Sequence, residues 1–271
     1  MSICPFPINI RDPADSTGKK RIPVPCGKCH ECLKNRRDDW TIRLVEHAKQ
    51  YQFTYFLTLT YDEQNAIYVG YEQTTLYKRH PQLFIKRLRK DYSLSYYLVG
   101  EYGTRTYRAH YHCILFSNSP IPVDTIKNKW QYGNVSVVIA NIRRLVYVTK
   151  YHVNKTSYPP QTEPPFALMS KGIGSGYVER MREHHKTIEH ASYQQFQFKK
   201  RLPRYYKEKL YNKYQRNQIK LKYTPSDADL LALYERYVEK YPNSNYWKSK
   251  HDAILSKMRT YKEKVNFNNT F

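Results

Sequence analysis

Residues 96–116, YYLVGEYGTRTYRAHYHCILF, decide the fold. Two runs rich in aromatic and β-branched residues, 96–102 and 109–116, flank the polar segment GTRTYR. That pattern predicts two strands joined as an antiparallel hairpin. Side chains two apart in a strand share a face, so His110 and His112 project together. With residues 103–108 as the turn, Glu101 falls opposite His110 or His112, about 5 Å away on the neighbouring strand. Two imidazoles and a carboxylate on one open face suit Mg²⁺, Mn²⁺ or Zn²⁺, with positions left for substrate oxygens. A His-x-His pair alone is often only a polar strand surface; the carboxylate at hairpin register is what points to a metal. Cys113 faces away from His112 and reads as core.

Outward from the hairpin, residues 53–61, FTYFLTLTY, read as a strand. Residues 31–51 carry Leu33, Trp40, Leu44, Val45 and Ala48 at helical spacing. Residues 81–91 open with Pro81, a good first helical residue, and segregate Leu83, Phe84 and Leu88 from Lys86, Arg87, Arg89 and Lys90. A short helix is expected at 122–130, a strand at 134–139, and a helix from the N-cap Asn141 to about Lys155. Residues 5–25 read as an extended arm and 156–176 as a loop, with PPQTEPP and KGIGSG as breakers. The remainder looks helical. The order helix, strand, helix, hairpin, helix, strand, helix predicts an α+β domain, an antiparallel sheet with helices on one face. Three segments follow: an arm with a Cys cluster at 1–33, the sheet domain at 34–176, and a basic, tyrosine-rich helical region at 177–271.

The 271 residues include 46 Lys+Arg against 23 Asp+Glu, a formal charge of +23. Such a charge repels itself unless a polyanion compensates, and nucleic acid is the expected partner. No run of 18 apolar residues exists, which argues against a membrane span, and the N-terminus MSICPFPINIRDPADS has no signal-peptide pattern. Of the apolar 40%, 28 residues are Tyr; without them roughly 30% remains, enough for a modest core. Tyr, Lys and Asn are also what an AT-rich genome encodes.

Three further groups carry chemistry. Tyr147 and Tyr151 lie four apart on the predicted helix and share a face, with Lys150 on the same turn. A neighbouring ammonium and a metal-polarised phosphate would make such a hydroxyl a nucleophile. Tyr pairs at this spacing recur along the chain, so only the combination with Glu101, His110 and His112 singles this pair out. Cys26, Cys29 and Cys32, in CGKCHEC, are spaced to grip Zn²⁺ with Cys4 or His30 as fourth ligand, a structural metal site; two overlapping C-x-x-C units also occur in iron–sulfur ligation. Basic stretches interleaved with Tyr, at 78–90, 143–144 (Arg143 and Arg144) and 199–222, suit unpaired bases better than duplex.

Taken in order, Cys4-Pro5, VPCGKCHEC followed by Trp40, FLTLTYDE, FIKRLRK, GEYGTRTYRAHYHCILF, YVTKYHVNK, MSKGIGSGY and LPRYYKEKLY resemble the replication initiators of gokushovirus-type microviruses, small single-stranded DNA phages. The wider class that these resemble is the HUH endonucleases, named for His-hydrophobe-His. The resemblance covers about residues 3–211. It implies a five-stranded antiparallel sheet, a divalent metal (Mg or Mn) held by Glu101, His110 and His112, and Tyr147 as catalytic Tyr with Lys150 three residues on. Tyr151 matches the second Tyr of initiators that use two, although Lys155 follows it by four residues, not three. FLTLTYDE would seat the DNA, with Thr58, Thr60 and Tyr61, and with Arg105, Arg108, Arg143 and Arg144, as contacts. The implied activity is nicking and religation of origin DNA through a 5′-phosphotyrosine in rolling-circle replication, in the host bacterial cytoplasm. No GK[ST] loop is visible, so a host helicase, with the host DNA polymerase, would be the partner. A non-catalytic single-stranded DNA or RNA binding protein, or an iron–sulfur protein built on CGKCHEC, would also account for part of the pattern.

Overall fold

The computed structural model describes residues 4–13, 15–153, 158–195, 198–222 and 226–242, apart from the side chains of 151–153, 195, 198, 227 and 230. In chain order the elements are β1 (Ile8–Arg11), β2 (Arg21–Val24), α1 (His30–Ala48), β3 (Phe53–Thr60), β4 (Tyr68–Val69), β5 (Gln73–Thr74), α2 (Arg79–Asp91), β6 (Leu94–Tyr102), β7 (Ala109–Ser117), α3 (Val123–Lys129), β8 (Val135–Ile139), α4 (Ile142–Val153), β9 (Phe166–Met169), α5 (Gly176–Met181), β10 (Ser192–Gln195), β11 (Phe198–Arg201), α6 (Arg204–Leu210), α7 (Lys213–Lys222) and α8 (Asp227–Lys240). Two compact units result: Arg36–Ile219, and the described residues of Met1–Asn35 with Lys220–Phe271. These units do not coincide with the segments 34–176 and 177–271.

The larger unit is built on an antiparallel five-stranded sheet of order β8-β3-β7-β6-β9. The α+β class and the five strands expected from the sequence are both present. The fifth strand, β9, lies inside the stretch expected to be loop, and pairs Phe166–Met169 with β6. Helices cover both faces of the sheet, not one. The reason is apolar residues at both parities of the central strands. On one face Leu57, Leu59, Leu98, Tyr111, Cys113 and Leu115 pack with Phe84, Ile85 and Leu88 of α2 and Ile126 of α3. On the other, Phe56, Tyr97, Val99, Ile114 and Phe116 pack with Leu44 of α1 and with Leu145 and Val148 of α4. That second face changes character along the strands: past the apolar half come Thr58, Thr60, Glu101, His110 and His112. Cys113 is fully buried, as expected, and burial raises its thiol pKa.

Many tyrosines are packing residues. At least eleven are buried, and several satisfy their hydroxyls internally: Tyr61 with Tyr111 (2.8 Å), Tyr102 onto the Glu163 carbonyl (2.7 Å), Tyr193 onto Glu46 (2.7 Å). A buried ring with a satisfied hydroxyl fills the core as Phe or Leu would. The region after 177 is not wholly helical: β10 and β11 form a hairpin, and Tyr177, Tyr193, Leu202, Tyr206 and Tyr211 share a core with Ile42 of α1. The KGIGSG loop reaches that helix closely. At Gly174 (φ +79°) a Cβ would lie 2.8 Å from the Arg43 carbonyl oxygen, so only glycine fits.

The Gly174 N–H donates to His47 Nδ1 (3.2 Å), and His47 Nε2 bonds Ser95 Oγ (2.7 Å). An imidazole that accepts at Nδ1 is neutral, and burial, assisted by Arg43, lowers its pKa to about 4 from an ordinary 6.5. The unfolded chain therefore takes up a proton that the fold refuses. Stability should be full above pH 6.5 and fall by up to about 3 kcal/mol as pH drops toward 4. Denaturant melts at pH 7 and pH 5 check this; in His47→Gln the loss attributable to this group should vanish.

Candidate active site

Three strands bring the metal-ligand candidates together. Register pairs Glu101 with His110 and Val99 with His112 across β6 and β7, and Thr58 with His112 across β3 and β7. The turn expected at 103–108 is closed by Gly103 N–H to Arg108 O (3.0 Å) and Tyr107 N–H to Gly103 O (2.9 Å). Glu101 Oε1 lies 2.8 Å from His110 Nε2 and 2.9 Å from His112 Nε2. The three ligand atoms all fall within 4.8 Å of one another. Glu101 and His112 are buried and His110 is half-buried.

Each imidazole is oriented from behind. His110 Nδ1 lies 3.1 Å from the Arg108 carbonyl oxygen, which can only accept, so Nδ1 carries the proton. His112 Nδ1 pairs with Thr58 Oγ1 at 3.1 Å. Such bonds at one nitrogen turn the other toward a metal. Burial alone would lower the pKa of His110, but its bonds to Glu101 and to the Arg108 carbonyl outweigh that, and the net shift is upward. Glu101 Oε2 is buried with no hydrogen-bond partner. A buried carboxylate oxygen left over beside two imidazole nitrogens fits a divalent cation. If Thr58 holds the His112 ring, Thr58→Val should weaken Mn²⁺ binding about 10–100-fold; titration calorimetry reads this, and unchanged affinity would remove Thr58 from the site.

Helix α4 sits beside this group. Asn141 Oδ1 accepts from Arg144 N–H (3.1 Å) as the expected N-cap. Leu145 and Val148 anchor the helix on the sheet, and Thr149 Oγ1 bonds Thr41 Oγ1 of α1 at 2.9 Å. One turn brings Tyr147 over His112, with ring centroids 5.3 Å apart, edge-on at 76°. Phe56 stacks on His112 (5.3 Å, 27°) and meets Tyr147 edge-on (6.1 Å). Tyr147 is 38% exposed, enough to meet a substrate. Lys150, on the next turn, is exposed. The side chain of Tyr151, and all of Lys155, lie outside the described residues.

The expected DNA contacts divide. Thr58 and Thr60 lie on the triad's face, and Arg105 and Arg143 are exposed. Tyr61 is a correction: it is buried in the opposite core, hydrogen-bonded to Tyr111 and to His80 Nδ1 (2.9 Å). It lies one residue past Thr60 and so points to the other face. Arg108 is engaged with Glu63 (2.6 Å) and the Tyr61 carbonyl (2.9 Å), and Arg144 with the Ile139 carbonyl (3.2 Å). The basic helix α2 covers the face opposite the triad. Phe56 escaped the sequence reading as a site residue. Its signal is parity, since it lies two before Thr58 in the same strand.

Comparison with known proteins agrees with this geometry. The chain is 28% identical over 187 residues to the Replication-associated protein ORF2 of Spiroplasma virus 4, covering 59% of this chain and 58% of that one. It is 30% identical over 155 residues to the Replication-associated protein ORF4 of Chlamydia phage 1, covering 48% and 38%. It is 26% identical over 189 residues to the Replication-associated protein VP4 of Bdellovibrio phage phiMH2K, covering 59% and 58%. The matched stretches thus span between about two fifths and three fifths of these relatives. The hypothetical protein ORF119 of Sulfolobus islandicus rod-shaped virus 1, a solved structure, is 18% identical, with 43% of this chain and 95% of that one covered at a TM-score of 0.31, too low to bear on the fold. Residues 54–157, which carry Glu101, His110, His112 and Tyr147, match the family model of the Replication-associated protein ORF2 type, and it is with phage replication-associated proteins that this chain groups.

Proposed function

We infer that the chain is a replication initiator of a small single-stranded DNA phage, of gokushovirus type, which nicks and rejoins origin DNA by tyrosine transesterification. The observation that carries this reading is the convergence of Glu101, His110 and His112 on an open sheet face beneath the Tyr147 ring. A Mg²⁺ or Mn²⁺ ion held by those three side chains would draw charge from the scissile phosphate. Glu101 supplies the negative charge that holds the ion, while Arg108 and Thr58 hold His110 and His112 in the orientation it needs. Tyr147 presents its hydroxyl from the rigid helix α4. Its oxygen forms a bond to phosphorus as the bond to the 3′ oxygen breaks. The phenolic proton is lost and one is gained by the departing 3′ oxygen. The products are a 5′-phosphotyrosine and a free 3′-OH, and the reverse step rejoins the strand. The phosphodiester bond energy is conserved in the adduct, so no nucleotide is consumed. Tyr151, in the same helix, is the second candidate nucleophile, with Lys150 and Lys155 as nearby cations. Thr60, Arg105, Arg143 and the +23 charge would hold the single strand. A host helicase and DNA polymerase would complete the process in the bacterial cytoplasm; among the described residues no helix is long and apolar enough to cross a membrane.

Incubating the chain with end-labelled single-stranded origin DNA and Mn²⁺ should yield a denaturant-resistant adduct, absent with chelator. Peptide mapping of the adduct assigns the tyrosine. Salt-sensitive binding with no adduct under any divalent metal would favour a non-catalytic single-strand binder instead.

A further inference from the structure

The smaller unit holds a second group of ligands, unconnected with strand cleavage. The sulfurs of Cys4, Cys26, Cys29 and Cys32 all lie within 4.8 Å of one another, and none is in a disulfide. Cys29 Sγ is 3.8 Å from Cys4 Sγ, and Cys26 Sγ is 3.9 Å from Cys32 Sγ. Four thiolates bound to zinc at about 2.3 Å occupy a tetrahedron whose edge is roughly 3.8 Å. The observed separations are that edge. An iron–sulfur cluster distributes its Cys ligands over separate irons and spreads them further.

The backbone is arranged for thiolates. Gly27 adopts φ +76°, a left-handed turn that directs the N–H groups of Lys28 (3.5 Å) and Cys29 (3.3 Å) at Cys26 Sγ. The Cys26 N–H donates to Cys4 Sγ (3.3 Å) and the Cys32 N–H to Cys29 Sγ (3.4 Å). Such donors stabilise charge on sulfur. Cys32 lies in the first turn of α1, where the helix dipole acts in the same sense. His30, the alternative fourth ligand in the sequence, instead stacks on Tyr241 (4.5 Å) and bonds its hydroxyl through Nδ1 (3.0 Å).

What surrounds the sulfurs gives the site a purpose. Phe6 packs edge-on against Tyr234 (5.5 Å) and Tyr237 (5.1 Å) of α8. These rings and the buried Cys4, Cys29 and Cys32 form one apolar cluster. Among the described residues only six buried side chains compose it, too few to order a unit by apolar burial alone, and units of that size commonly need a metal. We propose that Cys4, Cys26, Cys29 and Cys32 bind one structural zinc ion, and that this ion fastens α8 to the N-terminal arm. Binding displaces the four thiol protons to solvent, and no oxidation is involved.

The test uses the full chain carrying His110→Ala and His112→Ala, so that any metal at the other site is removed. About one zinc per chain should remain after gel filtration. Replacement by Co²⁺ should give the intense near-ultraviolet sulfur-to-cobalt absorption that histidine and carboxylate ligands do not produce. Chelation should abolish amide-exchange protection of α8, and Zn²⁺ but not Mg²⁺ should restore it. Cys26→Ser, at the half-exposed corner, should weaken retention; should that variant not fold, the chelator series on the zinc-loaded chain decides. Metal-free protein whose α8 stays protected, two disulfides at these cysteines, or a brown protein holding iron and sulfide would each overturn the proposal. None of these outcomes bears on strand cleavage.

Discussion

His110→Ala is expected to lower metal-dependent cleavage of single-stranded origin DNA by about 10³-fold or more. A bound cation contributes several kcal/mol at a phosphoryl centre, and each ~1.36 kcal/mol is tenfold in rate. The variant removes one of three ligand atoms and leaves Glu101, buried and with Oε2 already unpartnered, facing a single imidazole. His110 is the better choice of the two histidines because it is half-buried, whereas His112 supports the Phe56 and Tyr147 rings. Binding to the same DNA, with its salt dependence, should stay within about twofold, since phosphate contacts by Lys and Arg supply it. Filter binding and a cleavage gel on one preparation separate the two effects. Cleavage that survives would mean that the metal is held elsewhere.

Tyr147→Phe is expected to eliminate the covalent adduct, with residual cleavage below about one part in a thousand. The substitution removes only the hydroxyl and keeps the ring on His112 and Phe56, so stability and metal affinity should be unchanged. If Tyr151 acts only after a first nick, Tyr151→Phe should nick normally yet fail to circularise. An adduct that persists in Tyr147→Phe and vanishes in Tyr151→Phe would transfer the nucleophile one turn along α4. Mass mapping of the labelled peptide reads all three outcomes.

The parts of the site legible in the sequence were those written in short-range periodicity. The hairpin placed Glu101, His110 and His112 on one face because a two-residue period and a six-residue turn leave only two registers. The N-cap at Asn141 and the i,i+3 apolar spacing of Leu145 and Val148 set α4. What escaped depends on partners distant in sequence. The strand FALM follows a Pro-rich stretch and has only four residues; its conformation is dictated by pairing with β6. The β10–β11 hairpin carries Lys and Gln that read as helix formers. The two-sided burial of the sheet was visible in the mixed parity of Phe56 and Leu57, but strand alternation reads one face at a time. Tyr61 was misplaced because a motif block names its residues together, although consecutive residues point to opposite faces.

The position of β9 limits how the protein can be shortened. The residues that match the replication-associated family end at 157, but β6, which carries Glu101, is hydrogen-bonded on its outer side by residues 166–169. A chain cut at the family boundary would uncover the backbone donors and acceptors of residues 97–100, a flat, apolar edge open to another copy. A fragment ending there should therefore self-associate, and one extended through residue 219, the end of the larger unit, should remain monomeric by this route.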